Sequence, residues 1–176
     1  MNIFIGCSSS DNINKIYTNL SQKLAKYLAN KNYNLLIGGV SGLMGTIIDI
    51  FEKEKNNINI YCVEKYYDII DRNLKKQTFN TVNERKNAII KDADIFIILP
   101  GGIGTIDEMF SIIEAKRANQ HHKPIIILNI NNYYDNLIKM LEKIYQDNFS
   151  YINNKKIYKI TNSIDETIKY IESSDI

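Results

Sequence analysis

The chain has 176 residues, 44% of them hydrophobic and 24% charged, enough for one domain whose core hides about 70% of the unfolded surface; bulk disorder and fibrous structure are excluded. Twenty-two Lys and Arg against 20 Asp and Glu leave a formal charge of +2, too balanced to point to a nucleic-acid partner. No apolar run approaches the roughly 18 residues of a membrane span, and the first residues form no basic, apolar leader, so a cytoplasmic protein without membrane contacts is expected.

In chain order, Asn2 to Cys7 reads as a short buried strand, and Ile13 to Lys31 as an amphipathic helix with Ile16, Leu20, Leu24, Tyr27 and Leu28 on one face. Asn34 to Ile37 is a second strand, ending at Gly38. A helix from Leu43 to about Lys55 turns Ile47, Ile48 and Phe51 inward, and Ile58 to Val63 is a third strand. A helix opening at Thr81 precedes the fourth strand, Asp94 to Leu99, which is apolar on both faces as a central parallel strand must be. Pro100 ends it. A helix from Ile106 to about Asn119, a fifth strand from Pro124 to Ile130, helices at Tyr133–Asp147 and Ile164–Glu172, and a short edge strand at Ile157–Ile160 complete the reading. Strand and helix alternate as in βαβ units. The expected fold is therefore α/β, a single domain over residues 1–176 with a parallel sheet covered by helices on both faces.

The eight glycines occupy three places: Gly6, the cluster Gly38, Gly39, Gly42 and Gly45, and the cluster Gly101, Gly102 and Gly104. All three fall at the carboxyl ends of predicted strands, where α/β folds bind their ligands. Tight turns alone account for one such loop more easily than for three.

In Pro100-Gly-Gly-Ile-Gly-Thr-Ile-Asp-Glu108 the glycines remove side chains that would block a ligand. The helix expected to begin near Thr105 offers unpaired amides and a positive dipole end, a setting for phosphate. Thr105 would cap that helix or bond a phosphate oxygen. The string lacks the third glycine of the dinucleotide fingerprint, and no Gly-Lys-Ser/Thr follows it, so NAD and a hydrolysed ATP are disfavoured. A smaller ligand with one phosphate fits better.

Two readings compete for Glu108. Thr105-x-x-Glu108 is a capping box, in which Glu108 bonds the Thr105 amide; alternatively the carboxylate stands one turn from a phosphate site and faces a bound sugar. Thr81-Val-Asn-Glu-Arg85-Lys86 is also a capping box through Thr81 and Glu84. Arg85, one of only three arginines, suits bidentate recognition of phosphate or carboxylate, with Lys86 as a point charge; a solvated helix face is the plainer alternative.

Gly39-Val-Ser-Gly-Leu-Met-Gly45, Arg85-Lys86 and the Pro100–Glu108 string together resemble the signature of the LOG (lonely guy) family, whose members are often labelled lysine decarboxylases. The likeness runs in order from Phe4 to about Ile130. It implies a Rossmann-like domain, a homodimer or larger homo-oligomer, and phosphoribohydrolase activity without a cofactor. In that activity a nucleoside 5′-monophosphate, either AMP or a cytokinin riboside monophosphate, is cut to free base and ribose 5-phosphate. By the same resemblance, Arg85 and Glu108 take the catalytic positions. Lys86, Gly101, Gly102, Gly104 and Thr105 bind substrate, with Ser8 and Ser9 on the first loop and Gly39, Gly42 and Gly45 on the second. Departures from the family pattern fall at Val82-Asn83, at Cys62-Val-Glu-Lys-Tyr-Tyr67 and at Ile113–Asn119, segments that shape the base pocket and dimer seam in the family.

No metal site is expected, because His121 and His122 have no Cys or carboxylate at ligand spacing. Cys7 and Cys62 read as reduced structural thiols. Tyr66 and Tyr67 are candidates for stacking on a base, with packing the simpler role. The alternative function is a binding module for a nucleotide or a phosphorylated cofactor, with Glu108 as a mere helix cap. Ribosyl transfer to a second base is a third reading.

Overall fold

The computed structural model describes residues 1–150 and 156–173; the rest of the expected 1–176 domain lies outside them. The elements are β1 (Asn2–Gly6), α1 (Lys15–Asn30), β2 (Asn34–Ile37), α2 (Gly42–Lys53), β3 (Ile58–Val63), a 3₁₀ segment (Glu64–Ile69), β4 (Lys75–Phe79), α3 (Val82–Asp92), β5 (Ile95–Ile98), α4 (Ile103–Arg117), β6 (Ile125–Leu128), a 3₁₀ turn (Ile130–Asn132), α5 (Asp135–Gln146), β7 (Lys159–Thr161) and α6 (Ile164–Glu172). The strands form one seven-stranded sheet in the order β4-β3-β2-β1-β5-β6-β7. Every neighbouring pair is parallel. The α/β reading with a parallel sheet is correct.

Side-chain alternation along the strands divides the interior into two cores. Ile3 and Ile5 of β1, Ile95 and Ile97 of β5 pack under Leu24 and Leu28 of α1, Ile47 and Phe51 of α2, and Ile164 of α6. Phe4, Phe96 and Ile98 point the other way, to Ile89 of α3, Met109 and Ile112 of α4, and Leu141 of α5. The isoleucine-rich β5 and β6 are buried at every position, as strands covered on both faces must be.

Four expectations change. β4, Lys-Lys-Gln-Thr-Phe, was not expected: it is a half-exposed edge strand whose lysines hide any apolar alternation. The last strand is Lys159–Thr161 rather than Ile157–Ile160. Ile16 lies off the buried face of α1 and is 38% exposed. Helix α4 starts at Ile103, earlier than expected, with Gly102 as its N-cap.

The chain builds the sheet outward from β1 to β4, then crosses back to lay β5 on the other side of β1. Strand order therefore reverses between β1 and β5, and a crevice opens at their carboxyl ends. The loops there are laced together. Ser8 N–H donates to the Pro100 carbonyl (3.2 Å), and Leu43 N–H to the Ser8 carbonyl (3.0 Å). No helix among the described residues is long and apolar enough to cross a membrane.

Candidate active site

The crevice holds a cleft of about 620 Å³, within the usual range for small-molecule sites. Helices α3 and α4 meet at its floor. The capping box at Thr81 forms as expected: Glu84 N–H donates to Thr81 Oγ1 (3.1 Å), and Thr81 N–H to Glu84 Oε2 (3.3 Å). It fixes the first turn of α3 and so aims the next residue, Arg85, across the cleft. Arg85 Nη2 donates to Glu108 Oε1 of α4 at 2.6 Å, and Nη1 to the Gly38 carbonyl at 3.4 Å.

The capping-box reading of Glu108 is wrong. Because α4 begins at Ile103, Thr105 is its third residue and not its cap. Thr105 Oγ1 donates instead to the Cys7 carbonyl at 3.0 Å, tying α4 to the end of β1. Glu108 is left to pair with Arg85, and it is only 8% exposed. Burial pushes its carboxyl above the ordinary carboxylate value, while the Arg85 guanidinium pulls it back down. A partly offset, desolvated carboxylate of this kind is a proton acceptor with more basicity than a surface glutamate.

Gly38 allows the pair to sit where it does. A Cβ on Gly38 would lie 2.7 Å from Arg85 Nη1 and 3.3 Å from Glu108 Oε1. Alongside, Lys86 Nζ donates to both Asp107 oxygens at 2.9 Å. Two successive ion pairs thus join the same turns of α3 and α4. Arg85–Glu108 is turned to the cleft. Lys86–Asp107 lies outside its lining.

The first helical hydrogen bond of α4 runs from Ile106 N–H to the Gly102 carbonyl. The amides of Ile103, Gly104 and Thr105 precede that ladder, and no side chain caps them. Cβ atoms built on Gly102 and Gly104 would meet only open space. Those glycines are not required by packing; they leave an uncovered, amide-rich helix start that suits an anion.

Of the residues singled out in the sequence, Ser8, Ser9, Gly39, Arg85, Gly102, Gly104, Thr105 and Glu108 line one cleft. Gly101 is buried at the root of the loop against Thr105, while Gly42 and Gly45 belong to α2 and pack on Ser9, Ser10 and Val40. Tyr66 reaches the cleft and Tyr67 does not; Lys76 covers the Tyr67 ring at 4.7 Å. The cleft also has an apolar wall of Met44, Val63, Ile70 and Val82; Val63 and Val82 fall in segments that the family resemblance ties to the base pocket, while sequence reasoning did not single out Met44 and Ile70 as lining residues. The residues themselves signal only position, after the carboxyl ends of β2 and β3 or at the start of α3. Cys7, also in the lining, is buried with its thiol pushed up by desolvation and then by the Glu108 charge, so it remains protonated.

A family described as "Possible lysine decarboxylase" matches residues 38–171, a span that contains both halves of the ion pair and the glycine loop. The chain belongs to this family, the LOG family. A cytokinin riboside 5′-monophosphate phosphoribohydrolase of Arabidopsis thaliana is 30% identical over 154 residues, covering 84% of this chain and 71% of the relative. A second LOG-family phosphoribohydrolase from that plant is 26% identical over 178 residues, covering 97% and 77%. Among solved structures, the molybdenum cofactor carrier protein of Chlamydomonas reinhardtii superposes with a TM-score of 0.70 at 15% identity, covering 97% of this chain and 94% of that one. The molybdenum cofactor binding protein of Rippkaea orientalis gives 0.66 at 18%, with coverages of 97% and 94%. At these identities the structural likeness speaks for the fold alone.

Proposed function

We propose that the protein hydrolyses the N-glycosidic bond of a purine nucleoside 5′-monophosphate, AMP or a cytokinin riboside monophosphate, to free base and ribose 5-phosphate. The observation that carries this reading is the buried Arg85–Glu108 pair, 2.6 Å apart, in the same cleft as the uncapped start of α4. A pure binding module needs an anion seat and a base wall. It does not need a desolvated carboxylate beside them.

In this reading the 5′-phosphate rests on the amides that open α4, and the apolar wall of Met44, Val63 and Tyr66 takes the base. The ribose then spans the floor beside Glu108. As the bond from C1′ to the base nitrogen breaks, its electron pair leaves with the base and positive charge grows on the sugar. The Glu108 carboxylate stabilises that charge and accepts a proton from the attacking water, whose oxygen bonds to C1′. The proton that Glu108 accepts passes on, directly or through solvent, to the departing base nitrogen, so Glu108 is regenerated and substrate and water balance base and ribose 5-phosphate. Arg85 holds Glu108 in one orientation and keeps it ionised. The phosphate grip supplies remote binding energy that fixes C1′ against the carboxylate.

The test is a panel of AMP, GMP, CMP, UMP, dAMP and isopentenyladenosine monophosphate, with free base and sugar phosphate measured by chromatography. We expect release from a purine member, and a loss of at least about a hundredfold in Glu108→Gln while ribose 5-phosphate still binds. Absence of release from every member, with one nucleotide raising Tm, would establish the binding module instead. A new nucleotide formed only when a second base is added would mean transfer.

A further inference from the structure

Three successive carbonyls at the root of the glycine loop are each held from outside the loop. Tyr134 Oη donates to the Leu99 carbonyl at 2.7 Å, Ser8 N–H donates to that of Pro100 at 3.2 Å, and Tyr133 Oη donates to that of Gly101 at 2.7 Å. A trans peptide points its carbonyl and its N–H in opposite directions. Anchoring the Pro100 and Gly101 carbonyls therefore sets the direction of the Gly101 and Gly102 amides. Gly102 lines the cleft. Without side chains, these glycines have no other means of holding one peptide orientation.

The tyrosines are themselves delivered by a locally costly backbone. Asn131 and Asn132, just before them, both take left-handed conformations, with φ of 52° and 58°, which asparagine tolerates better than most residues. Buried Asn129 secures the turn: its Oδ1 accepts from Tyr134 N–H at 2.7 Å and its Nδ2 donates to Asp135 Oδ1 at 2.8 Å. The Tyr133 ring is wedged edge-on between Tyr134, at 4.9 Å, and Tyr17 of α1, at 5.8 Å. The Tyr134 ring is buried and has little freedom to turn away; the Tyr133 ring, 43% exposed, is held by its two edge contacts and by the hydroxyl bond to the loop.

The geometry points to Tyr133, backed by Tyr134, as a positioning residue for phosphate recognition: its hydroxyl orients the Gly101–Gly102 peptide, which leads directly into the α4 amides that receive the 5′-phosphate. This rests on the reading of the cleft as a nucleotide site. The pair touches no substrate and acts only through the loop.

Calorimetric titration with ribose 5-phosphate and, separately, adenine tests it on the wild-type protein, Tyr133→Phe and the Tyr133→Phe/Tyr134→Phe double variant. Tyr133→Phe keeps the ring and removes only the hydroxyl. We expect its affinity for ribose 5-phosphate to fall about three- to tenfold, the worth of one neutral hydrogen bond, with adenine binding unchanged. KM for AMP should rise by the same factor with kcat held within about twofold. Tyr27→Phe is the control. It deletes a hydroxyl that donates to Glu172 at 2.8 Å, away from the loop, and should leave both affinities unchanged. Wild-type affinity for ribose 5-phosphate in both Tyr133 variants would overturn the positioning role. So would an equal loss for adenine, which would mark a general structural defect. A wild-type protein that binds no ribose 5-phosphate removes the phosphate site itself, and this role with it.

Discussion

Glu108 is held between two opposed influences. Burial favours its neutral form, and the guanidinium at 2.6 Å favours its charged form. Burial is the larger, so the carboxyl titrates above its ordinary value of 4.5. If ionised Glu108 is the base, kcat/KM should rise with pH through an apparent pKa above that value and level off where the carboxylate is fully formed. Removing the guanidinium leaves desolvation opposed only by the smaller pull of Lys86. In Arg85→Met the acid limb should therefore move to higher pH, in addition to any fall in the plateau rate. A pH–rate profile of both proteins checks this; an acid limb that stays in place would show that Arg85 does not set the ionisation of Glu108. Sequence spacing alone left Glu108 divided between a helix cap and a functional carboxylate. What decided it was the start of α4, two residues before Thr105, and spacing does not reveal where a glycine-rich segment becomes helical.

At the level of elements, the first turns of α2, α3 and α4 all begin at strand carboxyl ends, and each does so by a different device. Thr81 caps α3 with its side chain, Gly102 begins α4 without one, and Gly42 opens α2 in a left-handed conformation with φ of 60°. Only the first of these is a sequence signature. A Cβ on Gly42 would also lie 2.6 Å from the Ser10 carbonyl oxygen and from Ser9 C, in the loop that follows β1. Gly42→Ala should thus meet both backbone strain and a main-chain collision, at a cost of about 2 kcal/mol or more. That corresponds to a Tm fall of about 5 °C at this chain length, and AMP turnover should fall too because Ser9 lines the cleft. Thermal unfolding checks the first part; a Tm within about 1 °C of wild type would mean that the β1 loop yields freely. Elements were legible wherever burial imposed a pattern, as in the apolar runs of β5 and β6. They were illegible where it did not: β4 is polar up to its last residue, Phe79, and is placed by pairing with β3 and by the Phe79 ring stacking on Tyr61 at 5.8 Å.

At the scale of the molecule, the reversal of strand order next to β1 gathers cleft residues from Cys7 to Glu108, and the crossovers must stay docked for the cleft to exist. His121 secures one of them. It is buried at the turn from α4 into β6, with its ring 5.4 Å from that of Phe96. Lys123 N–H donates to its Nδ1 at 3.2 Å, so Nδ1 carries no proton and Nε2–H donates to the Ile112 carbonyl at 3.0 Å. Both nitrogens are satisfied in the neutral ring, and a second proton would face the Lys123 amide. Desolvation, helped by the nearby Lys116 and Lys123 charges, outweighs the opposing hydrogen bond to the Ile112 carbonyl and holds its pKa below the ordinary 6.5. The unfolded chain therefore binds this proton more readily than the folded one in the interval below 6.5. Stability must rise with pH across that interval and fall as the solution is acidified. Denaturant titrations at a series of pH values should show the decline starting near pH 6.5, with part of its slope missing in His121→Gln. The variant will be less stable at neutral pH because the ring contact with Phe96 is lost, so the test lies in the slope and not in the absolute stability. An unchanged slope between variant and wild type would assign the acid sensitivity to other groups and leave His121 a packing residue.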